Sequence, residues 1–552
     1  MPEAQVVSPI RALASSLTPI IRANWPLLLV GVVLARLFWA RYASPLRSYP
    51  GPLLASCTRM WKVWSTATYN THWDHIALHR RYGPVVRIAP NEVSLSSPRA
   101  ARAVLSAGKR FYKTDFYAVF PPPENPDIFT EIREDVHAQK KKVANVPYSM
   151  AAMRQLSPFI DDTIDLLASR VGEFCTADSG TMTPGGINNT KGKVDLGAWL
   201  HYFAFDVLGE VAFSRSFGFL NAGLDVEHAI RTIDEMQRYN GIVGQIPAFD
   251  YLLRRNPLWK WVPALDPSNA LITRIAKDEM AKRRPFGGSI SEKTRLGGSD
   301  SEEDVGMLGG SGGEGRRDLM ASLIKGHLKE GSNFSEGDVF AVAHGAIFAG
   351  SDSTASTMQS FFHQVLSSPR VHAAIVAEIE EAARTGAIPA EGNVEWLEAQ
   401  NLPYFQACLK EAMRVRPAVG LNITRMVPPE GVEIEGQFFR GGTRVALNGW
   451  VLHRDRDVFG QDADVFRPER WLEDEEEAKT MERYMFQFGG GSHVCIGRNL
   501  ALLEINKVLP RLLRDFKFEL MYPNRELKAK ATFFVVQEGL EVYIERKRAA
   551  KA

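Results

Sequence analysis

The residues whose types and spacing could do chemistry are concentrated in Phe486 to Leu500, FQFGGGSHVCIGRNL. Three successive glycines and Gly497 bracket Cys495, and a helical pattern starts directly after it, from Arg498 to Leu509 with Pro510 at its end. A cysteine just ahead of a helix N-terminus meets the positive end of the dipole and unpaired backbone N–H groups, which favours its thiolate. Glycines admit positive φ and let the backbone approach something large and flat. Thiolate ligation of haem iron uses all of these features, with backbone N–H groups tuning the sulfur. A buried structural cysteine in a glycine-rich turn is the plainer alternative.

A second cluster is A-G-S-D-S-T, Ala349 to Thr354. It lies inside a long helical pattern that starts at Ser335, an N-cap with Asp338 three residues on, and ends at Ser367 before Pro369. Gly345, Ala346, Ala349 and Gly350 thin one face of that helix, and its glycines and hydroxyl residues cost helix stability. Such a local conflict marks a functional site. A kinked core helix is the alternative.

The elements that must position these clusters read as mainly α with small β-sheets. Short β-branched runs at Val85–Ile88 and Val93–Leu95 predict a hairpin, and Phe533–Val536 and Leu540–Ile544 around Gly539 predict another. Val432–Ile434, Phe438–Phe439 and Arg444–Leu447 supply further strands. Residues 287–315 hold ten glycines and five serines and read as a flexible loop or linker, either a domain boundary or a surface insertion within one domain. Thr176 to Lys193 reads as a surface loop.

At the N-terminus, Trp25 to Ala40 is apolar except for Arg36, with Trp25, Trp39 and Tyr42 where interfacial aromatics belong. This predicts a membrane anchor over 1–44, with a cleaved signal peptide or an amphipathic or buried helix as the alternatives, then a proline-rich hinge over 45–52 and a catalytic domain over 53–552. Arg36, Arg41 and Arg47 lie at or after the end of the run, which keeps the bulk of the chain cytosolic and leaves Asn188 on the wrong side for glycosylation. The 66 Lys+Arg against 64 Asp+Glu, a net charge of +2, remove the electrostatic case for nucleic-acid binding. Four scattered cysteines form no disulfide framework.

F-x-x-G-x-x-x-C-x-G, on Phe488, Gly491, Cys495 and Gly497, resembles the haem-binding signature of the cytochrome P-450 family. The resemblance runs from about Tyr49 to Arg548. It implies the family's fold and haem b, with Cys495 as the axial iron ligand. His493 stands where the family carries an Arg toward a haem propionate. Ala349 to Thr354 resembles the oxygen-binding groove, which makes Asp352 the acid and Ser353 or Thr354 the hydroxyl of proton delivery. Glu411 and Arg414 resemble the E-x-x-R pair and Arg470, in F-R-P-E-R-W, its third member, all structural. Arg425 resembles a propionate contact. His137 and Lys141 take the places of the usual Trp and Arg on a propionate-side helix, while Lys140 to Lys142 read as a solvated basic face for an acidic electron donor.

The activity implied is insertion of one atom of O₂ into a hydrophobic small molecule. Electrons would come from a separate NADPH-cytochrome reductase, at the endoplasmic reticulum membrane, in fungal secondary metabolism or detoxification. The tract YGPVVRIAPNEVS resembles the pisatin demethylase-like group. A haem-thiolate isomerase or dehydratase needing no reductase is the alternative, and a non-enzymatic haem sensor a remoter one.

Overall fold

The computed structural model of the chain describes residues 9–106, 108, 111–120, 125–175, 192–254, 271–283 and 318–547. The Gly/Ser segment 287–315 and Asn188 lie outside them.

The helices that position the site are α1 (Pro9–Tyr42), α2 (Glu134–Ala144), α3 (Ser157–Glu173), α4 (Leu196–Phe213), α5 (Ala229–Val243), α6 (Glu336–Leu366), α7 (Pro403–Val415) and α8 (Arg498–Asp515). The long helix α6 begins as its cap predicts. Asp338 N donates to Ser335 Oγ at 3.1 Å, and Ser335 N donates to Asp338 Oδ2 at 2.8 Å. Along α6 the flanks Val339–Phe348 and Thr354–Phe362 supply Val339, Ile347, Ala355, Met358, Phe361 and Phe362 to the main core, where residues of α3, α4, α7 and α8 meet them. Burying such side chains contributes about 1.5–3 kcal/mol each.

Helix α8 continues through Pro510 to Asp515 instead of stopping before it. The proline removes one backbone hydrogen bond, but Leu509, Leu512 and Leu513 are fully buried around it, and that burial outweighs the loss.

A second core lies under a five-stranded sheet of β1 (Val85–Ala89), β2 (Glu92–Leu95), β8 (Arg444–Leu447), β5 (Ile423–Met426) and β3 (Tyr112–Lys113), in that order. β1 and β2 form the hairpin that the sequence predicts, and β2 pairs with β8 in parallel. β6 (Val432–Ile434) and β7 (Gln437–Phe439) form a small hairpin of their own.

The C-terminal hairpin expected around Gly539 does not form. β11 (Val535–Glu538) pairs with β10 (Lys528–Ala531), whereas β12 (Glu541–Arg546) pairs with β4 (Gly192–Asp195) and β9 (Phe516–Leu520). Gly539, at φ 97°, turns the chain out of one sheet and into the other. Gly192 and Lys193, expected in a loop, therefore begin a strand; 176–191 lie outside the described residues.

Arg22–Tyr42, the apolar part of α1, is 21 residues long and exposed, enough by length and composition to cross a membrane. Its backbone kinks at Asn24, where Pro26 interrupts the hydrogen-bond ladder. The C-terminal end is tied down: the buried Arg87 guanidinium donates to Ala40 O at 2.7 Å and Arg41 O at 3.0 Å, carbonyls with no helical partner. Segment 45–52 then crosses β1 closely. Arg87 N donates to Pro50 O at 2.7 Å, and a Cβ on Gly51 would lie 2.2 Å from Arg87 O.

Several histidines are buried and neutral. Burial is the first cause that pushes His72 and His453 down to about 3 and His79 and His344 to about 4. A folded value below the unfolded one means that the unfolded chain takes up protons first, so stability falls as pH falls through the ordinary histidine value. The unfolding midpoint in denaturant is expected to drop between about pH 7.5 and 5.5, before carboxylates titrate, by up to about 1.4 kcal/mol per histidine per pH unit. A midpoint flat across that range would contradict this.

Candidate active site

Glu411 lies at the centre of a dense polar junction. Its two oxygens accept from five donors: Arg414 Nε and Nη2 at 2.8 Å each, Arg470 Nε at 2.9 Å, Arg467 N at 2.9 Å and Trp471 Nε1 at 2.9 Å. Arg414 in turn donates to His453 O at 2.7 Å, Ala463 O at 2.6 Å and Val465 O at 3.0 Å. Burial pushes the Glu411 carboxyl up, but the Arg414 hydrogen bonds and charge, with Arg470, hold it below its ordinary value. Glu411, Arg414 and Arg470 are thus brought together in one interlocked set.

This junction reaches the cysteine loop through His453, whose ring accepts at Nε2 from Phe486 N at 2.8 Å. The loop closes on itself where Cys495 N donates to Phe488 O at 2.8 Å. Gly489 (φ 73°) and Gly491 (φ 59°) adopt the left-handed conformation this closure needs. Lys141, from α2, pins the outer edge by donating to Ser492 O at 2.7 Å and Val494 O at 2.8 Å. Gly497 is the N-cap of α8, and a Cβ there would lie 4.0 Å from Cys495 Sγ.

The Cys495 side chain is accessible although protein surrounds it closely. Burial is the main influence and raises the free thiol above its ordinary value. The Gly497 and Arg498 backbone N–H groups and the Lys141 charge act against it without overcoming it. The N–H groups at the helix N-terminus favour the thiolate, but burial outweighs them in the free thiol; a cation bound to the sulfur would add the missing stabilisation.

Basic groups gather beside this loop. His137 is buried and its ring lies 4.4 Å from that of His493. His493 Nε2 donates to Glu134 Oε2 at 3.0 Å, and its Nδ1 is buried without a partner. Arg425 on β5 donates to Tyr117 Oη at 2.8 Å, and Lys113 to Ile128 O, Phe129 O and Glu131 O at 2.8–3.1 Å.

These groups weaken one another's charge. Burial, then Arg425, pushes Lys113 down to about 7; burial, then Lys113 and His493, pushes His137 to about 3; burial, with Arg425 and Lys113, lowers His493. Two carboxylates placed among them would relieve that repulsion and give His493 Nδ1 a partner. Together with the exposed Cys495 in a glycine cradle, these groups could hold a haem, Cys495 toward the iron and Arg425, His137 and His493 toward the propionates. Lys141 holds the loop instead. Of the expected basic face only Lys142 is solvated: Lys140 is buried, 3.0 Å from Asp338 and donating to Pro126 O.

On α6, Ala349 is exposed, and Gly345, Ala346, Gly350 and Ser353 are half-buried, in the middle of a mostly buried helix. The Ser353 hydroxyl donates to Ala349 O at 2.8 Å on this open face. Thr354 points the other way, donating to Glu504 Oε1 of α8 at 3.3 Å in the core, and burial keeps the Glu504 carboxyl well above its ordinary value. Asp352 is buried, with Oδ1 2.7 Å from His201 Nε2 and Oδ2 accepting from Gln237 Nε2. Next to Ala349, Phe348 packs against Phe120, and Phe116, Phe120 and Phe129 pack around Phe533, with ring centroids 5.1–6.5 Å apart.

Lys113, His201, Gln237, His453 and Glu504 are additions to the site that no motif spacing announces. Trp471 was in plain view beside Arg470, as an indole that needs a buried acceptor.

The family model for cytochrome P450 matches residues 52–543. The chain is 34% identical over 93% of its length to the cytochrome P450 monooxygenase cicH of Emericella nidulans, covering 98% of that protein. It is 32% identical over 94% of its length to a pisatin demethylase of Fusarium vanettenii, covering 93% of it. The chain belongs to the cytochrome P450 family. It is a haem-dependent monooxygenase that uses O₂, an organic substrate and a redox partner.

Glu411→Gln, which leaves buried arginines without their carboxylate, is expected to destabilise the protein by about 3–5 kcal/mol and to strip most of its haem. Denaturant midpoints and haem content per chain read both. A stable, haem-replete variant would contradict the role given to the junction.

Proposed function

We propose that the protein is a membrane-anchored monooxygenase of hydrophobic small molecules, with haem b held by Cys495 and electrons delivered by NADPH-cytochrome reductase. The observation that carries the substrate class is the box of rings, Phe116, Phe120, Phe129, Phe348 and Phe533, beside the accessible stretch of α6. Rings packed together at that stretch offer an apolar, aromatic surface, which favours apolar, aromatic ligands. The names of the fungal relatives, a pisatin demethylase among them, support a role in secondary metabolism or detoxification. The apolar α1, ahead of residues 45–52 and the catalytic domain, supports a single-pass anchor in the endoplasmic reticulum with the catalytic domain in the cytosol.

The bound haem supplies the iron at which O₂ is activated and from which one oxygen atom passes to the substrate. The chain's own residues do the rest. The rings exclude water and orient the substrate by packing. Ala349 keeps the open face of α6 small, Gly350 lets Leu208 of α4 pack close, and the Ser353 hydroxyl on that open face would hold a proton for the oxygen groove. Asp352 supplies that proton. Thr354, tied to Glu504, is a core residue in this reading.

Ser353→Ala is expected to lower product-forming turnover about tenfold and to raise hydrogen peroxide released per NADPH, measured with reductase in air. Thr354→Ala should leave that ratio near wild type and cost about 1–3 kcal/mol of stability, since it strips Glu504 of its partner. The reverse pattern would move the hydroxyl role to Thr354. A panel of apolar aromatic compounds should perturb the haem absorbance on binding while charged polar ones do not; the opposite ranking would contradict the substrate class.

A further inference from the structure

Asp352 is held at both oxygens. On one side Gln237 donates to Oδ2. The orientation of that amide is fixed, because its Oε1 accepts from Phe534 N at 3.0 Å and Thr532 Oγ1 at 3.1 Å, leaving only Nε2 to face the acid. On the other side stands His201 of α4, whose Nε2 lies 2.7 Å from Oδ1. The Asp352 side chain is 4% exposed and the His201 side chain 15%, so the imidazole lies between a closed acid and an accessible rim.

That rim is acidic. Asp234, one turn before Gln237 on α5, is half-buried with its Oδ1 unpartnered. The charges that bear on the pair are Asp352 from α6, Asp234 and Asp225 from α5 and the turn before it, and Glu538 from β11. Burial opposes a charge on His201, but the hydrogen bond and charge of Asp352, with Asp234 and Asp225, hold it above its ordinary value. Asp234 is itself pushed up to about 7, by burial first and by the Asp352 charge second.

We propose that His201, with Asp234 holding its positive charge, reloads Asp352 with each proton that leaves for the oxygen groove. The Nε2–H bond of the imidazolium breaks, its electron pair stays on nitrogen, and the proton forms an O–H bond at Asp352 Oδ1. The ring is left as the neutral Nδ1–H tautomer. The new carboxyl proton passes on toward the Ser353 hydroxyl; the neutral ring then turns its free Nε2 to the rim, where water protonates it, and swings back to Asp352. Gln237 is a positioning residue that keeps Oδ2 occupied, so that Oδ1 alone exchanges.

The inference rests on Asp352 and Ser353 being the proton-delivery pair, and the test separates the two claims. The full-length holoenzyme, with reductase and NADPH in air, is followed by NADPH consumption in H₂O and D₂O across pH. His201→Gln keeps an N–H donor to Asp352 but cannot become cationic. It is expected to slow consumption about tenfold, to enlarge the solvent isotope effect and to flatten the fall in rate at alkaline pH. In Asp234→Asn that alkaline fall should move to lower pH, because the imidazolium loses a neighbouring negative charge.

A readout independent of turnover is carbethoxylation of His201 by diethyl pyrocarbonate, followed by peptide mass spectrometry. Its midpoint pH should lie above that of a free imidazole and drop in Asp352→Asn. His201→Gln with wild-type rate, pH profile and isotope effect, or a midpoint unmoved in Asp352→Asn, overturns the relay. If Asp352→Asn also leaves consumption unchanged, the proton-delivery reading itself falls.

Discussion

The structure depends on one buried carboxylate. Glu411 accepts five hydrogen bonds from Arg414, Arg470, the Arg467 backbone and Trp471. Removing one partner from such a junction leaves a buried charge uncompensated, which costs far more than the intact set contributes. Geometry follows from that penalty. Arg414 must hold the His453 carbonyl, and the His453 ring, kept neutral by burial, must accept from Phe486 N at the start of the cysteine loop. The position of Cys495 is thereby referred to a point in the core several side chains away.

A second theme is how the chain prepares places for charges it does not itself contain. Cys495 is an accessible sulfur whose surroundings, alone, keep it protonated. Lys113, His137 and His493, with Arg425 beside them, form a basic group in which burial and neighbouring positive charge lower the first three. Both arrangements are unfavourable in isolation, and a cation at the sulfur with carboxylates among the bases relieves both. Binding the cofactor is then also a folding contribution, because the relief exists only in the assembled site.

How much of this was legible in the sequence depended on whether a role has a local pattern. The loop around Cys495 was readable because glycine spacing and the helix start are both local. So was α6, whose Ser335–Asp338 cap closes as expected. The Glu411 set was readable only through resemblance, since an acid and a base three residues apart occur everywhere. His201, Gln237 and His453 come from unrelated segments and meet their partners only through helix packing, so no spacing could announce them. The errors have the same origin. Pro510 looks like a helix end until the buried leucines around it are known, and Lys140 looks solvated until Asp338 is found 3.0 Å away.

The central claim is that Cys495 is the thiolate ligand of a haem seated in this cradle. The most direct measurement is the absorbance of the reduced, CO-bound protein, compared with Cys495→His. The wild type is expected to show the red-shifted Soret band of thiolate-ligated haem, and the variant to lose it while retaining some haem through the basic group at the propionates. A wild-type protein lacking the red-shifted band, or a variant keeping it, would contradict the account.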